Sequence, residues 1–233
     1  NRPNPDGWGF AYRQNDQFIL NKNAQPAFKD ANYSDIANSI QTDFLFAHVR
    51  RKSQGPISLE NTHPFTYHDW VFMHNGNIPG FEHYKSDLKM KLPPDSAIAT
   101  QGTTDSEFLF RYFIYWFEKT ESCDVYCVLN LISSIIFELI ELTDRDIVDQ
   151  IALNFMLSNG RYIIGFRRNR TLFYRQEKET LLISSERLDR DSCWNEVPEN
   201  HFIIAKNPGE IQLVAYDIEL NKRSFPVPSI KHP

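Results

Sequence analysis

The sequence predicts an α+β layer fold, because three kinds of pattern follow one another along the chain. Short apolar runs typical of strands occupy the first third, two helical stretches lie in the middle, and strand-like runs return after Asp149. Strands at both ends around two central helices argue against a series of βαβ units, in which strands and helices would alternate. No internal repeat or linker divides the 233 residues, so we expect a single domain.

The N-terminal third contains the predicted elements of a first sheet. An aromatic run at residues 8–12 and an apolar run at residues 18–20 flank a polar turn, which predicts a hairpin. Apolar positions at residues 36, 37 and 40 predict a short helix. Residues 44–50 predict a buried strand that runs into a basic loop, and residues 70–74 predict another strand that ends at Asn75 and Gly76.

The middle of the chain contains two predicted helices. Thr104 and Glu107 have the spacing of a capping box, and aromatic residues follow at helical spacing, so a helix should begin there. A second helix is predicted from about Asp124 to Leu142, and its apolar character on nearly all sides indicates burial between other elements. The runs that then predict strands are residues 151–157, 162–166, 172–174, 181–184, 202–205 and 211–216.

Charge and composition exclude several classes of function. The chain has 25 Lys and Arg residues against 30 Asp and Glu, a net charge of −5 that does not suit a general nucleic-acid binder. The longest uninterrupted apolar run, Tyr112 to Phe117, is far shorter than the roughly 20 residues that span a bilayer, so no membrane partner is predicted. The three cysteines, Cys123, Cys127 and Cys193, form no disulfide framework and no zinc-ligand pattern. We therefore expect a reducing, cytoplasmic location and no metal or cofactor.

Two charged residues are candidates for binding a small zwitterion. Arg50 lies where a predicted strand meets a polar loop, and its planar guanidinium is suited to a carboxylate, although a solvated basic loop would have the same sequence. If the strand continues, Arg51 points to the opposite face, so at most one of the two enters a site on one face. Asp105 lies in the first turn of the predicted helix. The capping box gives it no structural role, and the helix dipole favours a carboxylate there that would bind an ammonium group.

Asn75 and Gly76 permit two interpretations. Asn-Gly is the commonest dipeptide of tight hairpin turns. Alternatively, the Asn75 amide and the Gly76 backbone N–H form an oxyanion hole, where glycine lets the backbone approach a substrate closely. His63 is likewise either a base or a hydrogen-bonded loop residue. Together, the two charged residues and the Asn-Gly pair would form a pocket for an amino acid that is attacked at its side-chain carbonyl, which indicates acyl transfer.

Six motifs, in their order along the chain, resemble those of the class II glutamine amidotransferases, a family of N-terminal-nucleophile hydrolases. They are Asp-Gly-Trp-Gly-Phe at residues 6–10, Ala-His-Val-Arg at 47–50, Asn-Thr-His-Pro-Phe at 61–65, His-Asn-Gly at 74–76, Thr-Asp-Ser-Glu at 104–107 and Asn-Phe-Met-Leu-Ser-Asn-Gly at 154–160. Each motif is common alone, but the ordered set is specific. The chain is most similar to the stand-alone, single-domain branch, which includes hydrolases of γ-glutamyl amides. The resemblance implies a four-layer αββα sandwich of two antiparallel sheets.

The resemblance also implies a role for each candidate residue. The substrate-binding residues would be Arg50, Ser53, His63 and Asp105, and the oxyanion hole would be Asn75 with Gly76. Ser53 falls where the family has a hydroxyl residue that contacts the substrate carboxylate, on a loop that closes over glutamine. His63 falls at the family's structural histidine near the pocket. The implied substrate is glutamine or a γ-glutamyl amide; the family also leaves room for a partner subunit or a homo-oligomer, which this sequence does not specify.

The family's nucleophile, an N-terminal cysteine whose own α-amine acts as the base, does not occur in this sequence. Asn1 has the amine but no nucleophilic side chain, and none of the three cysteines has a free α-amine. The favoured interpretation is that a segment carrying the cysteine precedes Asn1, with a strand and a loop before residues 6–10. The alternative is a catalytically inactive relative that binds glutamine or γ-glutamyl compounds. On either interpretation, we expect residues 1–233 by themselves to be inactive.

Overall fold

The computed structural model describes residues 4–15, 17–90, 100–120, 124–206 and 209–216. The strands in these ranges are β1 (Trp8–Gln14), β2 (Gln17–Asn23), β3 (Leu45–Val49), β4 (Phe65–Tyr67), β5 (Trp70–Asn77), β6 (Ala152–Ser158), β7 (Ile163–Arg167), β8 (Phe173–Glu177), β9 (Thr180–Ser184), β10 (Asn195–Glu196), β11 (His201–Ala205) and β12 (Ile211–Ala215). The α-helices are α1 (Tyr33–Ser39), α2 (Phe81–Met90), α3 (Asp105–Glu118) and α4 (Val125–Leu142). Asn1 and Cys123, which the sequence analysis considered, lie outside the described residues.

Six strands form one antiparallel sheet in the order β12-β11-β7-β6-β5-β4. Near its middle, β5 pairs with β6 from Val71 opposite Ser158 to Asn77 opposite Ala152. This register places Asn75 directly opposite Asn154. The end of β5 is therefore held by the start of β6, which fixes the backbone at the position where the sequence analysis expected chemistry.

Helices α3 and α4 cover one face of the six-stranded sheet. Because side chains alternate along each strand, Phe72 and Phe155 join the cluster under the helices, whereas Val71 and Met156 join the cluster on the opposite face. Phe72 is fully buried and stacks on Phe110 of α3, with ring centroids 5.4 Å apart. Within the described residues, α4 is the one helix long and apolar enough to cross a membrane, but half of it is buried inside the fold, as in a core helix.

Two three-stranded sheets, in the orders β2-β1-β3 and β10-β8-β9, lie on the other face. Their contact with the six-stranded sheet is a second apolar cluster, which includes Ala11, Phe46, Val71, Met156 and Ile203. α1 lies on the outer side of the β2-β1-β3 sheet, where the Tyr33 ring is edge-on to Trp8 with centroids 5.1 Å apart. The layers confirm the predicted α+β fold with antiparallel sheets. Within the described residues, the second layer of the sandwich consists of two separate small sheets.

The two small sheets end at strand edges without a partner in the described residues, because β3 pairs only with β1 and β9 only with β8. A cavity of about 110 Å³ lies between them. Ala47 and His48 of β3 line it together with Ile183 and Ser184 of β9, and β5 and β6 contribute the rest of its wall. An unpaired edge offers backbone N–H and C=O groups to a further strand. The cavity therefore has the surroundings that one further strand between β3 and β9 would have.

Most predicted elements are confirmed, with ends within about three residues of the expected positions. α3 begins at Asp105 with Thr104 as its N-cap, and Asp124 caps α4. The sequence analysis did not predict α2 or β4. It also ended β5 too early, because Asn75 and Gly76 continue the strand. The assignment of the whole chain to one domain stays a prediction.

Candidate active site

The predicted site residues converge on one open cleft of about 700 Å³. The cleft lies where β3 and β5 end, beside the start of α3. Its lining includes Arg50, Ser53, His63, Asn75, Gly76 and Asp105. These residues come from separate segments of the chain, so their meeting is a product of the tertiary structure.

Arg50 is buried at the end of β3, where the chain before β1 fixes its backbone. Its N–H donates to the Gly7 carbonyl at 2.8 Å, and its carbonyl accepts from the Asp6 N–H at 3.0 Å. The guanidinium donates from Nη1 to the Pro56 carbonyl at 3.2 Å and from Nη2 to the Gln54 carbonyl at 3.0 Å. Burial lowers the pKa of Arg50 and the Asp6 carboxylate opposes that shift, so the side chain stays charged. An arginine has about five N–H donors, so several are left for a ligand.

The loop after Arg50 folds back over the guanidinium. At its base, the Lys52 N–H donates to Asp6 Oδ2 at 2.9 Å, and at its far end Gln54 Nε2 donates to Asn77 Oδ1 at 2.8 Å. Ser53 lies between these two anchors, is exposed, and lines the cleft. The loop is thus joined to the end of β5 across the cleft, and a ligand carboxylate at Arg50 would lie beneath it.

Asp105 is buried at the first position of α3, with 2% of its surface exposed. Its Oδ2 accepts the Ile78 N–H at 2.9 Å, and its Oδ1 accepts the Ser106 N–H at 2.7 Å. The expectation that this carboxylate has no structural role is wrong, because it orders the chain that leaves β5. A carboxylate has about four lone-pair sites, so it retains capacity for a ligand ammonium.

Asn75 and Gly76 lie inside β5, which excludes the hairpin-turn interpretation. Asn75 is exposed, lines the cleft, and its side-chain amide makes no hydrogen bond to another described residue. A Cβ on Gly76 would lie 2.0 Å from the Ala152 carbonyl oxygen and 2.2 Å from His74 Nε2, so a side chain does not fit there. The Asn75 amide donor thus lies on the cleft beside Gly76, whose lack of a side chain lets the backbone pack closely against β6.

His74 links three elements behind these residues, a role that the sequence analysis did not assign. Its Nδ1 lies 2.9 Å from Ser106 Oγ on α3, and its Nε2 lies 3.1 Å from the Ala152 carbonyl on β6. Since a carbonyl oxygen only accepts, Nε2 carries a proton and donates to it, and Nδ1 shares a hydrogen bond with the Ser106 hydroxyl. Burial lowers the pKa of His74, and the Asp105 carboxylate opposes this shift. The sequence held one signal for this role. His74 precedes Asn75 on a predicted strand, so its side chain points to the opposite face from that of Asn75.

His48 and His63 form a pair of imidazoles in the wall of the cleft, with ring centroids 4.5 Å apart. Within the described residues, Nδ1 of His48 and both ring nitrogens of His63 have no hydrogen-bond partner. Burial lowers the pKa of His48 to about 4 and that of His63 well below its ordinary value, and the charge of Arg50 adds to both shifts. Both rings are therefore neutral at pH 7. The substrate-binding role of His63 stays a prediction.

We expect the folded protein to lose stability as the pH falls from 7 toward 4. His48, His63 and His74 have lowered pKa values when folded, so only the unfolded chain takes up protons just below its imidazole pKa of about 6.5. Their contribution is complete above that pH and is lost as the pH falls toward the folded values. Each histidine should add a slope of at most about 1.4 kcal/mol per pH unit in this window, the value for one full proton of difference between the unfolded and folded states. Urea unfolding between pH 7 and pH 5 measures the slope.

The matched variants for this measurement are His48→Gln and His83→Gln. His83 is exposed on α2, so its replacement should leave the slope unchanged. His48→Gln should lower the slope of unfolding free energy against pH by the contribution of one histidine. An identical pH dependence in the wild type and His48→Gln would show that His48 is not held neutral by burial.

No cysteine lines this cleft within the described residues. Cys127 is half-buried on α4, and Cys193 is exposed after β9. The hydroxyl of Ser106 is hydrogen-bonded to His74, but Ser106 is only 5% exposed and its Oγ also lies 3.1 Å from Asp105 Oδ1. The described part of the cleft therefore supplies groups for binding and for charge stabilisation, and no cysteine.

Solved structures share this fold over nearly the whole chain. A glutamine aminotransferase class-II domain protein from Silicibacter pomeroyi superimposes with a TM-score of 0.68 at 22% sequence identity, covering 89% of this chain and 90% of that chain. The chain therefore has the fold of that class-II domain.

The sequence identifies the family within that fold. The profile of the class II glutamine amidotransferases matches residues 1–178, and the chain belongs to this family. A probable glutamine amidotransferase of Saccharomyces cerevisiae is 38% identical over 122 residues, which are 50% of this chain and 34% of that protein. A gamma-glutamyl-hercynylcysteine sulfoxide hydrolase of Mycobacterium tuberculosis is 24% identical over 215 residues, 92% of this chain and 80% of that protein. The chain spans 34%, 61% and 51% of the first three curated relatives it matches.

Proposed function

We propose that this protein hydrolyses the side-chain amide of glutamine or of a γ-glutamyl amide through a cysteine thioester. The observation that carries the proposal is the convergence of Arg50, Asp105 and Asn75 on one cleft. Membership of the class II glutamine amidotransferases supports amide chemistry in general. The Mycobacterium tuberculosis relative is named for a γ-glutamyl compound, which supports that class of substrate.

Each end of the substrate would meet a group of matching charge. The α-carboxylate would bind the unused N–H donors of Arg50, since a guanidinium holds a carboxylate in a fixed, bidentate geometry. The α-ammonium would bind the Asp105 carboxylate at the start of α3. The γ-carbonyl would then lie at Asn75 and Gly76, where the amide and a backbone N–H would stabilise the oxygen as it becomes negative.

The nucleophile in this proposal is a cysteine outside residues 1–233. The cavity between β3 and β9 supports a place for it, because an added strand would find on both sides an edge that no other described strand pairs with. His74 and Asn75 also line that cavity, so a residue at the end of the added strand would lie beside the oxyanion position. The α-amine of that cysteine would take the thiol proton, and the thiolate would attack the γ-carbonyl carbon. The C–N bond would break as the resulting α-ammonium gives the proton to the leaving amine. Water would then hydrolyse the thioester to glutamate and the free thiol.

The experiment that tests the proposal uses the complete natural gene product. We expect it to release glutamate from glutamine or from γ-glutamylmethylamide, and we expect a thiol-reactive glutamine analogue to label one cysteine outside residues 1–233. The 233-residue chain alone should show no turnover and serves as the control. If the complete protein binds glutamine in calorimetry but neither turns it over nor becomes labelled, it is the inactive binding relative. The absence of binding and turnover would remove the assignment of the cleft altogether.

A further inference from the structure

The wall of the cleft beyond the oxyanion residues is not needed for the glutamyl group. With the α-groups of the substrate at Arg50 and Asp105, the leaving amine extends past Asn75. The residues that line the cleft on that side come from the β7–β8 turn and from the end of β9 and the segment after it: Arg170, Thr171, Ser184, Ser185, Glu186 and Leu188. The total volume of about 700 Å³ is in the range of sites for ligands larger than one amino acid. Release of ammonia from glutamine would leave this side empty.

The β7–β8 turn is fixed to the strand that faces Asn75. Asn154, the cross-strand partner of Asn75, accepts the Arg168 N–H at 2.9 Å and donates to the Thr171 carbonyl at 3.0 Å. Asn169, with a φ of 60°, donates from Nδ2 to two carbonyl groups just before β6, at 2.7 Å each. The backbone on both sides of the intervening residue is therefore held in place by groups other than its own side chain.

That intervening residue is Arg170, whose side chain is exposed and largely unused. Its Nη1 donates to the Asn169 carbonyl at 2.9 Å, and it forms no ion pair with another described residue. Glu186, the carboxylate on the same wall, is exposed and lies outside ion-pair distance. Arg170 lines the same cleft as His74 and Asn75.

We propose that Arg170 binds a carboxylate on the leaving amine, so that the preferred substrates are γ-glutamyl derivatives of amino acids or peptides. This inference rests on the proposed function and specifies its substrate class. Arg50 would hold the α-carboxylate at one end of the substrate, and Arg170 would hold the carboxylate of the departing amino acid at the other. Cleavage of the amide C–N bond then separates glutamyl and amine products that are bound by different arginines.

The test compares two substrates that differ by one carboxylate, with the complete gene product. γ-Glutamylglycine and γ-glutamylmethylamide both present a secondary amide, but only the first has a carboxylate on its amine. We expect Arg170→Ala to lower kcat/KM for γ-glutamylglycine by about tenfold or more, as for the loss of a charged hydrogen-bond partner. For γ-glutamylmethylamide the change in kcat/KM should stay within about twofold, because the amine of this substrate has no carboxylate for the exposed guanidinium to bind. Arg170→Lys should retain part of the preference, since it keeps the charge without the planar fork.

Arg161→Ala is the matched control, because it removes an exposed arginine from the β6–β7 turn, outside the cleft lining. It should leave kcat/KM unchanged for both substrates. If Arg170→Ala lowered kcat/KM equally for both substrates, Arg170 would act in charge stabilisation or in holding the β7–β8 turn. That result would overturn the inference. The inference would also be overturned if the wild-type protein had no higher kcat/KM for γ-glutamylglycine than for γ-glutamylmethylamide. If the wild type turns over neither substrate nor glutamine, the proposed function itself has failed, and this inference falls with it.

Discussion

Arg50→Ala is expected to lower kcat/KM for glutamine or a γ-glutamyl amide by about 100-fold or more, because it removes the buried partner of the α-carboxylate. Only 3% of Arg50 is exposed, so the carboxylate would be bound in a site with little competing water. Arg50→Lys should give an intermediate loss, since an ammonium keeps the charge but cannot hold both carboxylate oxygens in one plane. Steady-state kinetics on the complete gene product measures both variants.

The same guanidinium holds the Gln54 and Pro56 carbonyls, so Arg50→Ala also releases the loop that covers it. A thermal unfolding curve separates this structural effect from lost binding, because a weakened loop lowers the melting temperature without changing the preference for substrate. Arg51→Ala is the positional control. Arg51 is exposed at the rim of the cleft, and its replacement should lower kcat/KM much less than Arg50→Ala does. Losses of the same size at both positions would contradict the assignment of the α-carboxylate to Arg50.

Asn75→Ala is expected to lower kcat by about 10² to 10³, with a much smaller effect on KM, because the oxyanion forms only in the transition state. Asn75→Asp, which keeps the shape but replaces the amide donor by a negative oxygen, should be at least as damaging. Asn195→Ala removes an exposed asparagine outside the cleft lining and is the control for a general effect of the substitution.

Full turnover in a folded Asn75→Ala protein would exclude the amide from the oxyanion hole. The Gly76 N–H cannot be tested by the same kind of substitution. A Cβ at that position would collide with the Ala152 carbonyl and with His74, so loss of activity would report a displaced strand.

Much of the fold could be predicted because its elements are local. The capping residues Thr104 and Asp124 mark the starts of α3 and α4, and the bonds they make are confined to neighbouring residues. The β1–β2 hairpin was predicted from apolar runs around a polar turn. β4 is only three residues long, and such a short strand is defined by its pairing with β5 rather than by its own sequence.

The candidate site was predicted in its residue types but only partly in their roles. Arg50 and Asp105 were singled out because a guanidinium suits a carboxylate and a carboxylate in a first helical turn suits an ammonium group, although a solvated loop would also explain Arg50. Asn75 and Gly76 suited both a turn and an oxyanion hole. The pairing of β5 with β6 excludes the turn, and that pairing depends on residues far along the chain.

By itself, the sequence determined the succession of strand and helix segments, the family, and the candidate residues for binding a zwitterionic amide. These properties depend on short-range spacing, which the sequence contains directly. Only the tertiary structure decided that Asp105 orders the chain after β5 and that His74 joins β5 to α3 and β6. It also decided that, among the described strands, β3 pairs only with β1 and β9 only with β8. Each of these depends on contacts between segments distant in the chain, and such contacts exist only once the sheets and helices have packed together.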